Sequence, residues 1–462
     1  MNKLTIIVTY YNAEEYITGC LESIKQQRTQ DFNLIIVNDG STDQSKKLMD
    51  EAIKDYDKNI RFIDLDENSG HAHARNIALE EVETPYFMFL DADDELASYA
   101  ITFYLEKFNN TDGLIAPIHS FTTQRPQFVD LDRVRVEYFN AKGNINSFLR
   151  KQSACNIIFR TAIVKAHHIR FNENLNTYVD WSFVLEYMKY VNKFVRIFNF
   201  PFYFRGEVYD PFETLTLSEQ NFDVLFKDYV NSFYDAIKRA TNPKVREFIV
   251  TKMGNKIANE FEPTRYDINE RYQTHKDTLV ELSKFLHVHL VKNQKLINKI
   301  ETILLMNNET DKAFKVNQFR KTLRHVKNIV LRRKNKERSL YDLTDKEDNV
   351  KPKTIVFESF GGKNYSDSPK YIYEYMQKYY PNYRYIWSFK NPDKNVVPGS
   401  AEKVKRNSAE YYQAYSEASH WVSNARTPLY LNKKENQTYI QTWHGTPLKR
   451  LANDMKVVRM PG

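Results

Sequence analysis

Along the first 110 residues, hydrophobic and polar positions switch between two patterns. LTIIVTYY, beginning at Leu4, is an unbroken apolar run of the kind buried on both faces of a sheet. AEEYITGCLESIKQQ then returns to helical spacing, with Tyr16, Cys20 and Leu21 on one face. FNLIIVNDGSTD is a second strand running into a turn, SKKLMDEAIKDY a helix and IRFIDLD a third strand. AHARNIALEEV is a helix, and YFMFLDADD a fourth strand. Strict alternation of strand and helix predicts right-handed crossovers and a parallel sheet. Residues 113–218 are mixed, with a helix in YVDWSFVLEYMKYV.

Residues 219–340 lose the strand alternation and read as mostly helical. In KAFKVNQFRKTLRHVKNIVLRRK, Val316, Phe319, Leu323, Val326 and Val330 keep helical spacing among basic residues. Two readings stay open for that stripe, one facing a core and one lying on a membrane surface. The polar YDLTDKEDNVKPK reads as a linker. Beyond it TIVFESF, SPKYIYEYMQKYY, YRYIWSF, SAEYYQAYSEASHWVSNA and QTYIQTWHGTP restore the α/β order. The expected fold class is α/β at both ends of the chain, around a helical, basic middle.

Composition narrows the class. With 42% hydrophobic and 27% charged residues, the 462-residue chain is an ordinary globular protein long enough for two or three cores. Cys20 and Cys155 cannot make a disulfide framework and have no zinc spacing, which favours a reducing compartment. No window reaches the roughly 18 apolar residues of a membrane span, and the N-terminus lacks a signal-peptide run. A cytoplasmic protein is expected, peripheral at the inner face of the membrane. The net charge is +8, and Lys312 to Arg338 holds eleven Lys or Arg against the single acid Glu337. Such a segment suits anionic lipid or an anionic polymer; nucleic acid is not an expected partner, because no recognition module for it is present.

The candidate chemistry gathers at strand ends. Asp91, Asp93 and Asp94 crowd the end of the fourth strand, where an open α/β sheet places its ligand. Carboxylates there either solvate or cap a turn, or hold a hard cation such as Mn²⁺ or Mg²⁺ beside a diphosphate. Asn38, Asp39 and Gly40 end the second strand, Thr9 and Tyr11 the first, and NSGHAHARN brings Arg75 early into a helix.

In that order, VTYYN, VNDGSTD, GHAHARN and DADD resemble the nucleotide-binding half of family 2 glycosyltransferases, of GT-A fold, from Leu4 to about Tyr104. The resemblance implies nucleotide contacts from Thr9, Tyr11, Asp39, Arg75 and Asp91, with Asp93 as the metal ligand. It also implies an inverting transfer from a nucleotide-sugar, UDP being the favoured carrier. IRFNENLNTYVDWSFVLEY is similar to the family's acceptor segment and makes Asp180 the catalytic base. The family's Glu-Asp pair is Val179-Asp180 here. FYFRGEVYDPFETLTLS is similar to the segment that closes the site, where Arg205 could reach the diphosphate.

QTWHGTPLKR sets His444 at a strand end, with Gly445 permitting close approach and Lys449 supplying charge. Together with FESFGGKNYSDSPKYIYEYM and SNARTP, it resembles the first half of the CDP-glycerol glycerophosphotransferases that build teichoic acid, over about Thr354 to Asp454. That family is two-lobed, of GT-B fold, and the resemblance implies His444 as a catalytic base. Too few residues follow for the second lobe, so a fragment or a missing lobe is expected.

The expected domains are therefore 1–218, 219–350 and 351–462. The expected function is metal-dependent transfer of a sugar to a teichoic-acid or capsule-type glycerol-phosphate polymer, fused to a glycerophosphotransferase module. In the alternative, the C-terminal part only binds polymer or membrane and the N-terminal domain alone reacts.

Overall fold

The computed structural model describes residues 2–56, 60–108, 111–120, 130–140, 153–198, 200–206, 221–265, 267–293, 296–345 and 347–442. The chain divides into one unit spanning Met1–Met253 and another spanning Gly254–Asp454.

In the first unit, β1 (Leu4–Tyr10), β2 (Phe32–Asn38), β3 (Ile60–Asp64) and β4 (Tyr86–Asp91) pair in parallel in the order β3-β2-β1-β4. The crossovers are α1 (Ile17–Lys25), α2 (Ser45–Ile53) and α3 (His71–Glu80). Burial explains the continuous apolar strands: every residue of β1 except Thr9 is buried. Cys20 and Leu21, both about fully covered, are the face of α1 that packs on the sheet.

After β5 (Glu95–Leu96) and α4 (Ala100–Lys107) come β6 (Gly113–Ile115), β7 (Ile118–Ser120) and β8 (Arg135–Asn140). Then follow β9 (Ile157–Arg160), α5 (Thr161–Ala166), α6 (Asp180–Met188), β10 (Lys193–Phe198) and β11 (Tyr203–Arg205). The main sheet continues from β4 through an antiparallel β9 to β6, β10 and β8, while β5, β11 and β7 form a small second sheet. Phe89, Phe159, Phe171 and Phe183 interlock beneath the end of β4, with Phe171 and Phe183 stacked at 4.0 Å. Each such ring contributes about 1.5–3 kcal/mol by leaving water. The helix expected from Tyr178 begins only at Asp180, because Tyr178 has φ 59°, a left-handed conformation that a helix cannot start from. Two long helices, α7 (Phe222–Arg239) and α8 (Pro243–Glu260), follow.

The second unit opens with α9 (Ile268–Thr274), α10 (Lys276–Asn293), α11 (Leu296–Met306), α12 (Thr310–Val330) and α13 (Lys336–Thr344). Most of the stripe on α12 faces outward, against the core-facing reading: Phe319, Leu323, Val326 and Val330 are 54%, 44%, 43% and 71% exposed, while Val316 is half-buried. Its buried side is Ala313, Asn317 and His325. Asn317 Nδ2 donates to the Phe261 carbonyl at 3.3 Å and to Glu301 Oε1 at 3.1 Å, and Glu301 also pairs with Arg320. Amphipathic spacing marks a face, but polar partners decide which face turns inward.

The linker expectation also changes. Tyr341 is buried in α13, and the Asp345 carboxylate pairs with Lys434 at 2.8 Å and accepts from the Ser416 hydroxyl. The segment is thus pinned to the C-terminal lobe. That lobe is an all-parallel sheet of β12 (Lys351–Glu358), β13 (Arg384–Phe389), β14 (Glu402–Lys405), β15 (Ala418–Ser423) and β16 (Thr438–Gln441), ordered β14-β13-β12-β15-β16. Tyr341 stacks on Tyr412 of α15 (Ala409–Glu417) at 5.3 Å; α14 (Asp367–Tyr379) crosses over from β12 to β13. Among the described residues, no helix is long and apolar enough to cross a membrane.

Candidate functional site

The order β3-β2-β1-β4 reverses direction at β1, and crevices at such points lie beyond the strands' carboxyl ends. In register there, Thr9 pairs with Val37 on one side and Asp91 on the other. Thr9 is half-buried, and Tyr11, one residue past the strand, is 45% exposed at the rim.

Asp39 is buried just beyond β2. Its Oδ1 accepts the Ser69 N–H at 2.9 Å and its Oδ2 the Gly70 N–H at 3.0 Å. The carboxylate therefore ties down the loop that launches α3, with further lone pairs left to accept from a ligand. Gly40 is required beside it: at φ 68°, an added Cβ would stand 2.3 Å from the Glu67 carbonyl carbon.

Arg75, on α3, is 1% exposed, and this buried guanidinium links two of the other site residues. Nη2 donates to Asp91 Oδ1 at 2.7 Å, and Nη1 to Asp180 Oδ1 at 2.7 Å. The Phe89 and Phe171 rings lie 4.9 and 5.3 Å from its centre. Burial works against its charge, but Cys155, Asp91 and Asp180 together push its pKa up. Burial likewise resists ionisation of Asp91, yet Arg75 and then His71 hold that carboxyl below the usual range. Arg75 is a strut between β4 and α6, its charge spent on Asp91 and Asp180 rather than offered to the cleft. The other oxygen of Asp180 accepts the Ala154 N–H at 2.9 Å.

Asp91, Asp93 and Asp94 each offer an oxygen within 4.8 Å of the others. They are not equivalent. Asp91 is held by Arg75 and by the Cys155 thiol at 3.2 Å. Asp94 is 1% exposed and anchors β11, accepting from the Tyr203 hydroxyl and from the Gly206 N–H at 2.8 Å. Burial, then Asp91, push Asp93 up to about 6; burial, Asp91 and Asp93 push Asp94 up to about 8. Burial first and the neighbouring acids second disfavour charge on Asp93 and Asp94; hard cations take clustered oxygen donors of this kind. The donor set fits a divalent ion, with Asp93 the carboxylate that its neighbours leave uncommitted. Arg205 on β11 adds a weak opposing pull on Asp93. Gly206 is obligatory there, since a Cβ would fall 1.8 Å from the Asp93 carbonyl oxygen.

Sequence reasoning missed Cys155, Tyr203 and His71 at this site. Cys155 and Tyr203 arrive from segments 64 and 112 residues distant from Asp91, and nothing local announces them. His71 had a signal, standing four residues before Arg75 on the same helical face; burial and then Arg75 lower it to about 4.

In the C-terminal lobe, Trp443, His444, Gly445 and Lys449 lie outside the described residues. Glu358, at the end of β12, is 1% exposed and accepts from the Ser388 hydroxyl at 2.7 Å; burial pushes it up. Phe360, Gly361 and Gly362 follow with φ of 48°, 62° and 77°. Asn424 clamps that turn, accepting the Phe360 N–H at 2.7 Å and donating to Asp367 at 2.6 Å. The FESFGGK and SNA motifs thus meet over one sheet edge.

Residues 5–167 match the family described as Glycosyl transferase family 2, and residues 340–461 match CDP-Glycerol:Poly(glycerophosphate) glycerophosphotransferase. All 462 residues align at 99% identity with a teichoic acid poly(glycerol phosphate) polymerase of Staphylococcus epidermidis, and the chain spans 64% of that protein's length. A poly(ribitol-phosphate) beta-N-acetylglucosaminyltransferase, TarS, of Staphylococcus aureus strain Mu50 is 29% identical over 201 residues, 40% of this chain and 32% of that one. The crystal structure of S. aureus TarS 1–349 in complex with UDP superimposes with a TM-score of 0.53 at 18% identity, covering 68% of this chain and 90% of that one. At that identity the likeness concerns the fold.

Proposed function

From a chain that joins a family 2 glycosyltransferase domain to the first part of a CDP-glycerol glycerophosphotransferase domain, we propose an enzyme that lengthens the poly(glycerol phosphate) of teichoic acid. The observation carrying this reading is the 99% identity to the S. epidermidis polymerase across every residue. CDP-glycerol replaces the UDP-sugar expected as the donor for this activity, since the family matched by residues 340–461 is named for it. In the reaction, a terminal glycerol hydroxyl of the polymer attacks the phosphorus that bears the donor's glycerol. A phosphodiester bond forms, the anhydride bond breaks, and CMP leaves. His444 takes the hydroxyl proton, a role typically worth about 10²–10⁴-fold in rate.

The N-terminal domain supplies a second, nucleotide-type cleft. Asp93, with Asp91 and Asp94 beside it, would hold Mn²⁺ or Mg²⁺, which supplies charge to offset a diphosphate. Asp91 and Asp180 stay oriented by Arg75. A sugar-transfer reading of this domain is favoured by the TarS likeness, with Asp180 as the base. The outward stripe of α12 and its basic surroundings support an anionic membrane surface, at the cytoplasmic face, as the working place.

The test uses the chain extended past Gly462, supplied with CDP-glycerol and a glycerol-phosphate acceptor, following CMP release and chain length. Elongation that His444→Ala abolishes is expected. Elongation by His444→Ala at the parent rate would remove the base, and none by the parent would remove the reading. A parallel panel of UDP-sugars with Mn²⁺ separates the N-terminal activity, which Asp180→Asn should abolish.

A further inference from the structure

The helical part of the second unit contains a cleft of about 740 Å³ that no motif anticipates. Its walls include Ile297 of α11, Leu323, Arg320, Arg324 and Lys327 of α12, and Arg333 from the turn before α13. Positions 320, 324 and 327 fall on one helical face, so three cations line one side by spacing alone. The turn fixes the fourth: Arg332 takes φ 47°, and the Arg333 N–H closes on the Asn328 carbonyl at 2.9 Å.

Among the described residues, no carboxylate lines the cleft. Glu301 holds Arg320 and Glu262 holds Arg324 from outside it. Lys327 and Arg333 have no carboxylate within ion-pair distance among the described residues, and both are exposed. Four like charges converge on one space with two of them unopposed, beside an apolar wall. The volume exceeds one phosphate and suits a phosphate flanked by short carbon chains.

We infer that this cleft binds a glycerol phosphodiester, its phosphate held by Lys327, Arg333 and the guanidinium groups of Arg320 and Arg324, and its carbons against Leu323 and Ile297. Guanidinium groups meet phosphate oxygens in paired, charge-assisted hydrogen bonds, and lysine adds a point charge. The same diester occurs as the repeat of a glycerol-phosphate polymer and as the headgroup of phosphatidylglycerol. The choice of a glycerol diester rests on the proposed activity, while the test reads binding alone, so its failure and the failure of that activity are separately visible.

The test compares the full chain with Lys327→Glu/Arg333→Glu and with Lys276→Glu/Lys284→Glu. The second pair makes the same charge change at exposed positions of α10, outside both the cleft and the basic segment of α12. Soluble glycerophosphoglycerol is titrated by calorimetry, and binding to phosphatidylglycerol and phosphatidylcholine vesicles is measured by flotation; circular dichroism checks folding. The neutral pair Lys327→Gln/Arg333→Gln replaces the first should the charge reversal unfold the helices. The expected result is at least about a tenfold loss of diester affinity in the cleft variant, equivalent to 1.4 kcal/mol, and less than about twofold in the control. Loss of the soluble diester identifies a polymer-type ligand, and loss confined to phosphatidylglycerol vesicles identifies the lipid headgroup. Equal losses in both pairs, unchanged binding in the cleft variant, or no binding of any probe would overturn the inference.

Discussion

Replacing Arg75 with Met tests the strut directly. Methionine keeps much of the volume between Phe89 and Phe171 but removes both 2.7 Å bonds, leaving Asp91 and Asp180 as unopposed carboxylates. Removing one partner of a buried pair costs about 3–5 kcal/mol. The Asp91 and Asp180 side chains are 30% and 21% exposed, so water recovers part of that, and the lower end, about 3 kcal/mol, is expected. Hydrogen exchange followed by mass spectrometry reads the local effect in peptides covering β4 and α6, which avoids assuming two-state unfolding of a two-unit chain. Protection there should fall roughly 150-fold at 1.36 kcal/mol per decade. Arg75→Met/Asp180→Asn should recover part of the loss, since the second change removes one stranded charge. Protection within threefold of the parent, or a double variant equal to the sum of the singles, would refute the strut.

Two further outcomes follow, one from the same site and one from the C-terminal lobe. Asp93 and Asp94 are pushed up to about 6 and about 8, chiefly by burial and then by Asp91, so each keeps its proton longer in the folded chain than in the unfolded one. Their contribution to stability is therefore lost as pH rises from about 4 through those values, and a divalent ion bound there would restore it by replacing the proton. Mn²⁺ should raise the melting temperature more at pH 8 than at pH 5.5, and Asp93→Asn should remove the gain; an equal gain at both pH values, or one that survives in the variant, would contradict this. Lys434→Met should strand the Asp345 carboxylate, whose partner ammonium is only 2% exposed, and cost the C-terminal lobe about 3 kcal/mol in urea unfolding. Lys434→Met/Asp345→Asn should return part of that loss, and a double variant no better than the single would remove the pairing.

The strand ends of the N-terminal cleft were legible because a buried parallel strand is apolar throughout, and its polar terminus is conspicuous. Thr9, Asp39 and Asp91 stand at or next to such ends. Arg75 was visible as a residue but not as a buried strut, since Asp180, its second partner, lies 105 positions away. Cys155 and Tyr203 gave no local sign for the same reason. The polar stretch around Asp345 looked like a tether because its partner, Lys434, is equally polar and also far away in sequence. Glu358 was hidden in an apolar run, where a single acid reads as a strand terminus rather than a buried group.

The inside-out arrangement of α12 has a consequence for how firmly that helix can be oriented. Grease is forgiving of small rotations, but an amide and a carboxylate enclosed together are not, because rolling the helix would strand Asn317 and Glu301 without partners. The helix is keyed rather than glued. It can hold a row of bare hydrocarbon toward the outside without being tempted to turn it inward.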